Sequence, residues 1–220
     1  MTSFSLNLKP TLCLVVILLV ISLSQGQSKP TTEADYNGTF SYAVSETNSA
    51  YPVIFKVEVE NFSQGKVIRK STETVENQAE LHSRSTTTIV DGGKTRTVYE
   101  ILIGEQNGFC KEGDGPWRKS QYVCFGSNTI FGPRTPESVE YSVEEKVLNG
   151  KSVKIYRKYS IFPGKSGKQF EEEVATIDAD GYFINVVDTS GTLNPKVVSR
   201  IQKQTWTIKA KIKPIEAPIK

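Results

Sequence analysis

The chain has 220 residues, 37% hydrophobic, 10% aromatic and 23% charged, a globular composition rather than a disordered or fibrous one. Lys and Arg number 27 and Asp and Glu 24, a net charge of +3. That balance argues against a strongly basic nucleic-acid binder and against an acidic solvating tail.

The first element is a targeting signal. Residues 1–10 carry one positive charge, Lys9, and an apolar run follows from Leu12 to Leu23, broken by Ser22. Ser24-Gln25-Gly26 then gives way to polar residues. This order reads as a secretory signal peptide over residues 1–26, cleaved near Gly26. The run is shorter than the roughly 20 residues a membrane span needs. Cys13 lies inside the run rather than at its end, so lipidation there is not expected. The mature chain is expected to be secreted or periplasmic, with no transmembrane segment. Residues 27–37 read as a flexible N-terminal segment, and residues 38–220 as one antiparallel β domain.

From Gly38 onward the pattern has a period of two. Val53, Phe55, Val57 and Val59 alternate with Lys56, Glu58 and Glu60, as in a half-buried strand. Thr86 to Val90 is β-branched throughout, and Thr95 to Gly104 ends apolar on both faces. Asp91-Gly92-Gly93 between them is a hairpin signal. Cys110 and Cys124 enclose the turn-rich Gly113-Asp114-Gly115-Pro116. In an oxidising compartment they read as a disulfide, worth roughly 3 kcal/mol in the chain-entropy model. The Cys-x-x-Cys spacing of a redox pair is absent. Gly126 to Pro136 reads as a loop.

Thr135 to Gly150 has two readings. Thr135-Pro136-Glu137 resembles a helix start, with Val139, Val143 and Val147 at helical spacing. The same segment fits a strand, with Asn149-Gly150 as a two-residue hairpin turn. That hairpin, the favoured reading, sets Glu145 opposite Lys154 and Val143 opposite Tyr156. Val174–Asp178 and Tyr182–Thr189 then flank Ala179-Asp180-Gly181, a further hairpin. Val197–Ile201 and Thr205–Ala210 read as the last one or two strands, before a proline-containing tail. The fold class is therefore mainly β. It is a single strongly curved antiparallel sheet, an open or half barrel with few or no long helices.

Motifs of known chemistry do not complete themselves. Gly164-Lys165-Ser166 lacks the first glycine of a phosphate-binding loop, since Tyr159 stands there. Ser63-Gln64-Gly65-Lys66 matches Ser-x-x-Lys, but reads as a turn without its partner motifs. Asp178-Ala179-Asp180-Gly181 begins like a calcium loop, yet its glycine comes too early. The chain has one histidine, His82, and no Gly-x-Ser-x-Gly elbow, so no triad is assembled. No carboxylate pair stands out, and Glu171-Glu172-Glu173 reads as a solvated strand start. No catalytic residue, no metal site and no cofactor are expected. Asn37-Gly38-Thr39 and Asn61-Phe62-Ser63 are glycosylation sequons, relevant only in a eukaryotic secretory host.

The aromatics are more informative. Phe55, Tyr99, Phe109, Trp117, Tyr122, Phe125, Tyr156, Tyr182, Phe183 and Trp206 lie on or beside strands. They form either a filled core or the wall of a cavity, and periodicity does not separate the two. The candidate ligand-lining set is Phe55, Val57, Tyr99, Ile101, Trp117, Tyr156 and Ile184.

Three stretches together resemble the extracytoplasmic half-barrel lipid carriers, meaning the lipoprotein-sorting carrier of Gram-negative bacteria and its mycobacterial lipoprotein relatives. The first is Glu100-Ile101-Leu102-Ile103-Gly104 followed by Gly113-Asp114-Gly115-Pro116-Trp117. The second is Ala175 to Tyr182, with Thr176 where the family usually has Trp. The third is the ending from Ile208 to Pro218. The resemblance implies a curved antiparallel sheet with helices in its concave face, where acyl chains are held. Two features depart from the family: no clear helix between Gln27 and Tyr36, and no lipid-anchoring Cys.

The expected function is non-enzymatic binding or carriage of a lipid or other hydrophobic small molecule on the concave face. The alternative is a cell-envelope structural or protein-interaction domain with a filled core. No nucleic-acid partner is expected, and the sequence identifies no protein partner.

Overall fold

The computed structural model describes residues 28–105, 107–120, 134–164 and 167–219. In chain order these form β1 (Lys29–Pro30), α1 (Glu33–Ser49), β2 (Val53–Ser63), β3 (Lys66–Ala79), β4 (His82–Asp91), β5 (Lys94–Ile103) and β6 (Asn107–Glu112). Then come β7 (Arg118–Ser120), β8 (Ser138–Leu148), β9 (Lys151–Phe162), β10 (Gln169–Asp178), β11 (Phe183–Thr192) and β12 (Val197–Ile208). All strands join one open antiparallel sheet, in the order β1-β8-β9-β10-β11-β12-β2-β3-β4-β5-β6-β7. Two meanders, β2 to β7 and β8 to β12, are thus fused where β12 pairs with β2.

The expected open antiparallel sheet is the observed fold. The segment with two readings is a hairpin. Asn149 and Gly150 both have positive φ, 52° and 78°, the geometry of a two-residue turn whose twist matches its strands. Glu145 pairs with Lys154 and Val143 with Tyr156. Ser63 to Lys66 is the β2–β3 turn, and the Asp178 side chain organises the β10–β11 turn by accepting from the backbone N–H groups of Asp180 and Tyr182. The two runs at the end of the chain form one strand, β12. Of the Gly126–Pro136 loop, residues 126–133 lie outside the described residues, as do Lys165 and Ser166.

The N-terminal segment differs from expectation. Among the described residues, 28–37 do not form a free segment, and residue 38 lies in a helix rather than opening a β domain. β1 pairs with β8, Lys29 opposite Val143, and a 17-residue helix runs from Glu33 to Ser49. The Thr32 hydroxyl oxygen caps this helix by accepting from the N–H of Asp35 at 3.1 Å, and Glu33 and Asp35 place negative charge in its first turn. Tyr36, Phe40, Ala43 and Thr47 recur at spacings of four, three and four. They form the stripe that α1 buries.

The sheet buries apolar side chains on both faces. Against α1 lie Tyr156, Ala175, Ile177, Phe183 and Val186, with Tyr141, Val143 and Trp206 around them. This is the helix face. On the opposite side, Ile101, Ile103, Phe109 and Trp117 pack beneath Ile212 and Ile215 of the C-terminal tail. This is the tail face. The tail is fastened by the Ile215 N–H, which donates to Gln78 Oε1 at 3.1 Å, and by His82 Nε2, 3.1 Å from the Ile215 carbonyl oxygen. No described helix is long and apolar enough to cross a membrane.

Candidate functional site

Strand pairing lays the helix face out in rows across the sheet. The lowest row holds Ile177, Phe183, Trp206, Phe55 and Val75. A β-bulge sets Phe183 on this face, because Thr176 pairs with Asn185 while Ile177 pairs with Phe183. The next row holds Tyr156, Ala175, Val186, Gln204 and Val57. Above it stand Tyr141, Lys158, Glu173, Asp188, Gln202 and Val59. The uppermost holds Ser160, Glu171, Ser190, Arg200 and Asn61. The face therefore changes from aromatic to charged along the strand direction.

Its lower part carries a chain of ring contacts. Phe55 and Trp206 have centroids 5.0 Å apart, Trp206 and Phe183 5.1 Å, and Phe183 and Phe40 of α1 5.0 Å. Offset and edge contacts of this kind each contribute about 0.5–1.5 kcal/mol beyond area burial. Between these rings and α1 is a cavity of about 350 Å³. Phe40, Val44, Val53, Phe55, Phe183, Val186 and Trp206 form its apolar wall, and Asn48, Asn77, Glu173 and Gln204 the remainder. Apolar walls with a few polar groups are the usual make-up of small-molecule sites, and this volume is at the small end of their range.

Above it lies a second, larger cavity of about 1110 Å³. Its walls include Glu33 of α1, Tyr141 of β8, Lys158 of β9, Glu171 and Glu173 of β10, Asp188 of β11 and Arg200 of β12. Tyr141 and Arg200 stand four strands apart, and they line one cavity because the sheet curves toward α1. Glu173 lines both cavities.

The electrostatics concentrate at this shared wall. The Tyr36 hydroxyl donates to Glu173 Oε1, and burial together with that carboxylate holds the phenol far above its usual range. Asp188 lies directly across from Glu173. Burial first, and the Glu173 charge second, push its carboxyl up to about 6, against the opposing hydrogen bond from Gln204. Glu73 of β3 is also raised, by burial and by Glu100.

The structure divides the sequence-predicted lining set. Phe55 lines the lower cavity. Val57 and Tyr156 share the helix face but stand outside that cavity wall. Tyr99, Ile101 and Trp117 lie on the tail face: Ile101 and Trp117 pack under Ile215, and Lys111 Nζ sits 4.8 Å from the Tyr99 ring and 5.5 Å from that of Trp117. Ile184 is the residue skipped by the bulge, and its neighbour Phe183 takes the wall position. The reason is one of parity. A period of two groups residues onto a face but does not say which face the helix will cover. Cys110 is buried on β6, while Cys124, Tyr122 and Phe125 lie outside the described residues. Sequence reading missed Phe40 and Val44 with the helix that carries them, and it missed Glu173 and Asp188. Among the described residues no group of three or more metal-ligating side chains occurs.

No family model matches the chain, and no curated protein is similar to it at a significant level. Solved structures similar to it in part include the following two. LprF from Mycobacterium bovis is 10% identical, with a TM-score of 0.45 over 86% of this chain and 98% of that one. A Thermobifida fusca YX chain, assigned provisionally as a thioesterase II, is 9% identical, with a TM-score of 0.20 over 81% of this chain and 88% of that one.

Proposed function

We propose that this protein is a non-enzymatic binder of a lipid or other apolar small molecule, held between α1 and the sheet. The observation that carries this reading is the lower cavity, walled by Phe40, Phe55, Phe183 and Trp206 with Val44, Val53 and Val186. Apolar side chains around a space of this size favour an apolar occupant by removing its surface from water. No side chain is assigned covalent chemistry in this reading. The protein is proposed to work outside the cytoplasm after removal of residues 1–26, with Cys110 and Cys124 joined.

Native mass spectrometry of the protein purified from its own compartment tests this directly. An adduct that organic solvent extracts as a lipid or small apolar molecule is the expected result. A mass equal to the bare chain, together with no uptake of alkyl probes, would overturn it. The same spectrum reports cleavage near Gly26 and the loss of two hydrogens to a disulfide.

A second reading, a protein-interaction domain of the cell envelope, draws on one observation. Val67 and Ile68 are 50% and 54% exposed beside the β2–β3 turn, and Val90 is exposed beside the adjacent β4–β5 turn. Exposed apolar groups gathered at one end of a sheet are a mark of association surfaces. Substituting all three by Ser without changing any binding behaviour would remove that support.

A further inference from the structure

Glu173 lines both cavities, and the rows of the helix face change from aromatic to charged in one direction. An occupant of both spaces is therefore an amphiphile lying along the strands. Its apolar end meets Phe55, Phe183 and Trp206, and its polar end passes Glu173. The lower space, about 350 Å³, holds roughly a dozen water-sized groups. That suits one alkyl chain rather than two.

The charge at the junction is specific. Glu171 and Glu172, on the same strand, are ion-paired with Arg134 at 3.6 Å and Arg157 at 3.2 Å. Glu173 and Asp188 have no cationic partner within 4.0 Å among the described residues. Glu173 is held by the Tyr36 hydroxyl, and Asp188 by the Gln204 amide at 3.4 Å. They stand directly opposite each other on adjacent strands, a placement in which like charges repel. Lys158 flanks Glu173 in the same row, and Arg200 lies one row above Asp188. The junction row of Lys158, Glu173 and Asp188 thus carries one negative charge in excess when both acids are ionised.

We propose that the ligand is a single-chain amphiphile with a cationic head, its ammonium seated between Glu173, which lines both cavities, and Asp188, which lines the upper one. This rests on the apolar-ligand reading above and adds the class of head group. The ammonium offsets the repulsion between the facing carboxylates and donates hydrogen bonds to their remaining lone pairs. An anionic head at the same place adds a third negative charge. The rest of the head group extends into the upper cavity.

The test uses the Trp117→Phe protein, in which Trp206 alone reports from the cavity wall. It is titrated at pH 7.4 with dodecylammonium, dodecanol and dodecanoate, each below its micellar concentration. Dodecylammonium is expected to bind at least about tenfold tighter than dodecanoate, the scale of one charge-assisted hydrogen bond, and to weaken as salt is raised. Glu173→Gln and Asp188→Asn, each checked for folding by circular dichroism, are expected to erase that preference. Dodecanol binding with no preference for the ammonium over the carboxylate overturns the head-group assignment and leaves the apolar-ligand reading standing. Binding of none of the three overturns both. The salt dependence of the unsubstituted junction decides the matter even if either variant fails to fold. A preference that salt does not weaken also overturns the assignment.

Discussion

The hydroxyl oxygen of Thr47 accepts a hydrogen bond from the backbone N–H of Phe183 at 3.0 Å, joining the last turn of α1 to the first residue of β11. Thr47 is 1% exposed, so water does not replace the bond if it is lost. Thr47→Val keeps the shape and leaves that N–H without a partner, which costs about 1–3 kcal/mol. Thr47→Ser retains the oxygen and is expected to cost less. Urea unfolding is expected to show a lower midpoint with unchanged slope for the Val variant. Equal midpoints for the Val variant and the parent protein would show that the bond contributes nothing.

Two glycines are expected to respond to alanine with opposite signs. A Cβ on Gly191 would meet the Val197 carbonyl oxygen at 2.0 Å and Phe170 Cε1 at 2.9 Å. Phe170 is fully buried beside this bulged β11–β12 pairing, with Lys196 Nζ 4.8 Å from its ring centroid. The carbonyl belongs to the backbone and cannot swing aside, so Gly191→Ala is expected to destabilise by about 1–3 kcal/mol or more. Gly38 lies within α1 and a Cβ there meets nothing within 4 Å. Gly38→Ala is expected to stabilise by about 0.5–1 kcal/mol, since glycine is costly inside a helix. Thermal unfolding of the two variants checks both signs. A stabilised Gly191→Ala protein would show that the β11–β12 pairing gives way to a Cβ at this position.

The difference between these parts of the molecule tracks what was legible in the sequence. The β8–β9 hairpin was readable in register because Asn149-Gly150 imposes its own turn, and the pairs then follow by counting. The helix was not. Its buried stripe of Tyr36, Phe40, Ala43 and Thr47 is narrow, and Gly38, Thr39 and Ser41 between them are poor helix formers. The signal that marks it is the cap, Thr32 with Asp35 three residues on. The cavity wall was half readable for another reason. β5 is apolar on both faces, so alternation alone puts Ile101 on either side, and only the tail packing over Ile101 decides. Glu173 was hidden inside a run of three glutamates. Its neighbour Glu172 points to the other face, and tertiary packing against Tyr36 distinguishes the two.

The tail is expected to contribute to stability rather than trail in solvent. Ile215 is 5% exposed against Ile101 and Phe109, and its backbone is held at both polar groups by Gln78 and His82. Ile215→Ala is expected to cost about 2–5 kcal/mol, as for other buried isoleucines. In a Trp206→Phe background the remaining Trp117 reports on this face. Removal of residues 211–220 is expected to shift its emission to the red as Trp117 loses its cover. An unshifted emission with an unchanged unfolding midpoint would mean that the tail does not hold this position.

Asp188 makes a pH-dependent contribution whose sign is fixed by its environment. Its carboxyl titrates at about 6 in the folded protein against an ordinary value of 3.8. Between those values the folded state holds a proton that the unfolded chain has released. Stability therefore falls as pH rises through this window, and the penalty is complete above about pH 6 and absent below about pH 4. At 1.36 kcal/mol per pH unit, the full penalty is on the order of 3 kcal/mol. Asp188→Asn removes the ionisation while keeping an oxygen for the Gln204 amide to donate to. The stability of the variant relative to the parent, followed by urea unfolding from pH 4 to pH 7.5 without ligand, is expected to improve through the window and then level off. Parallel curves across that range would mean that Asp188 titrates normally in the folded state, and that the Glu173–Asp188 wall is wetter than its burial implies.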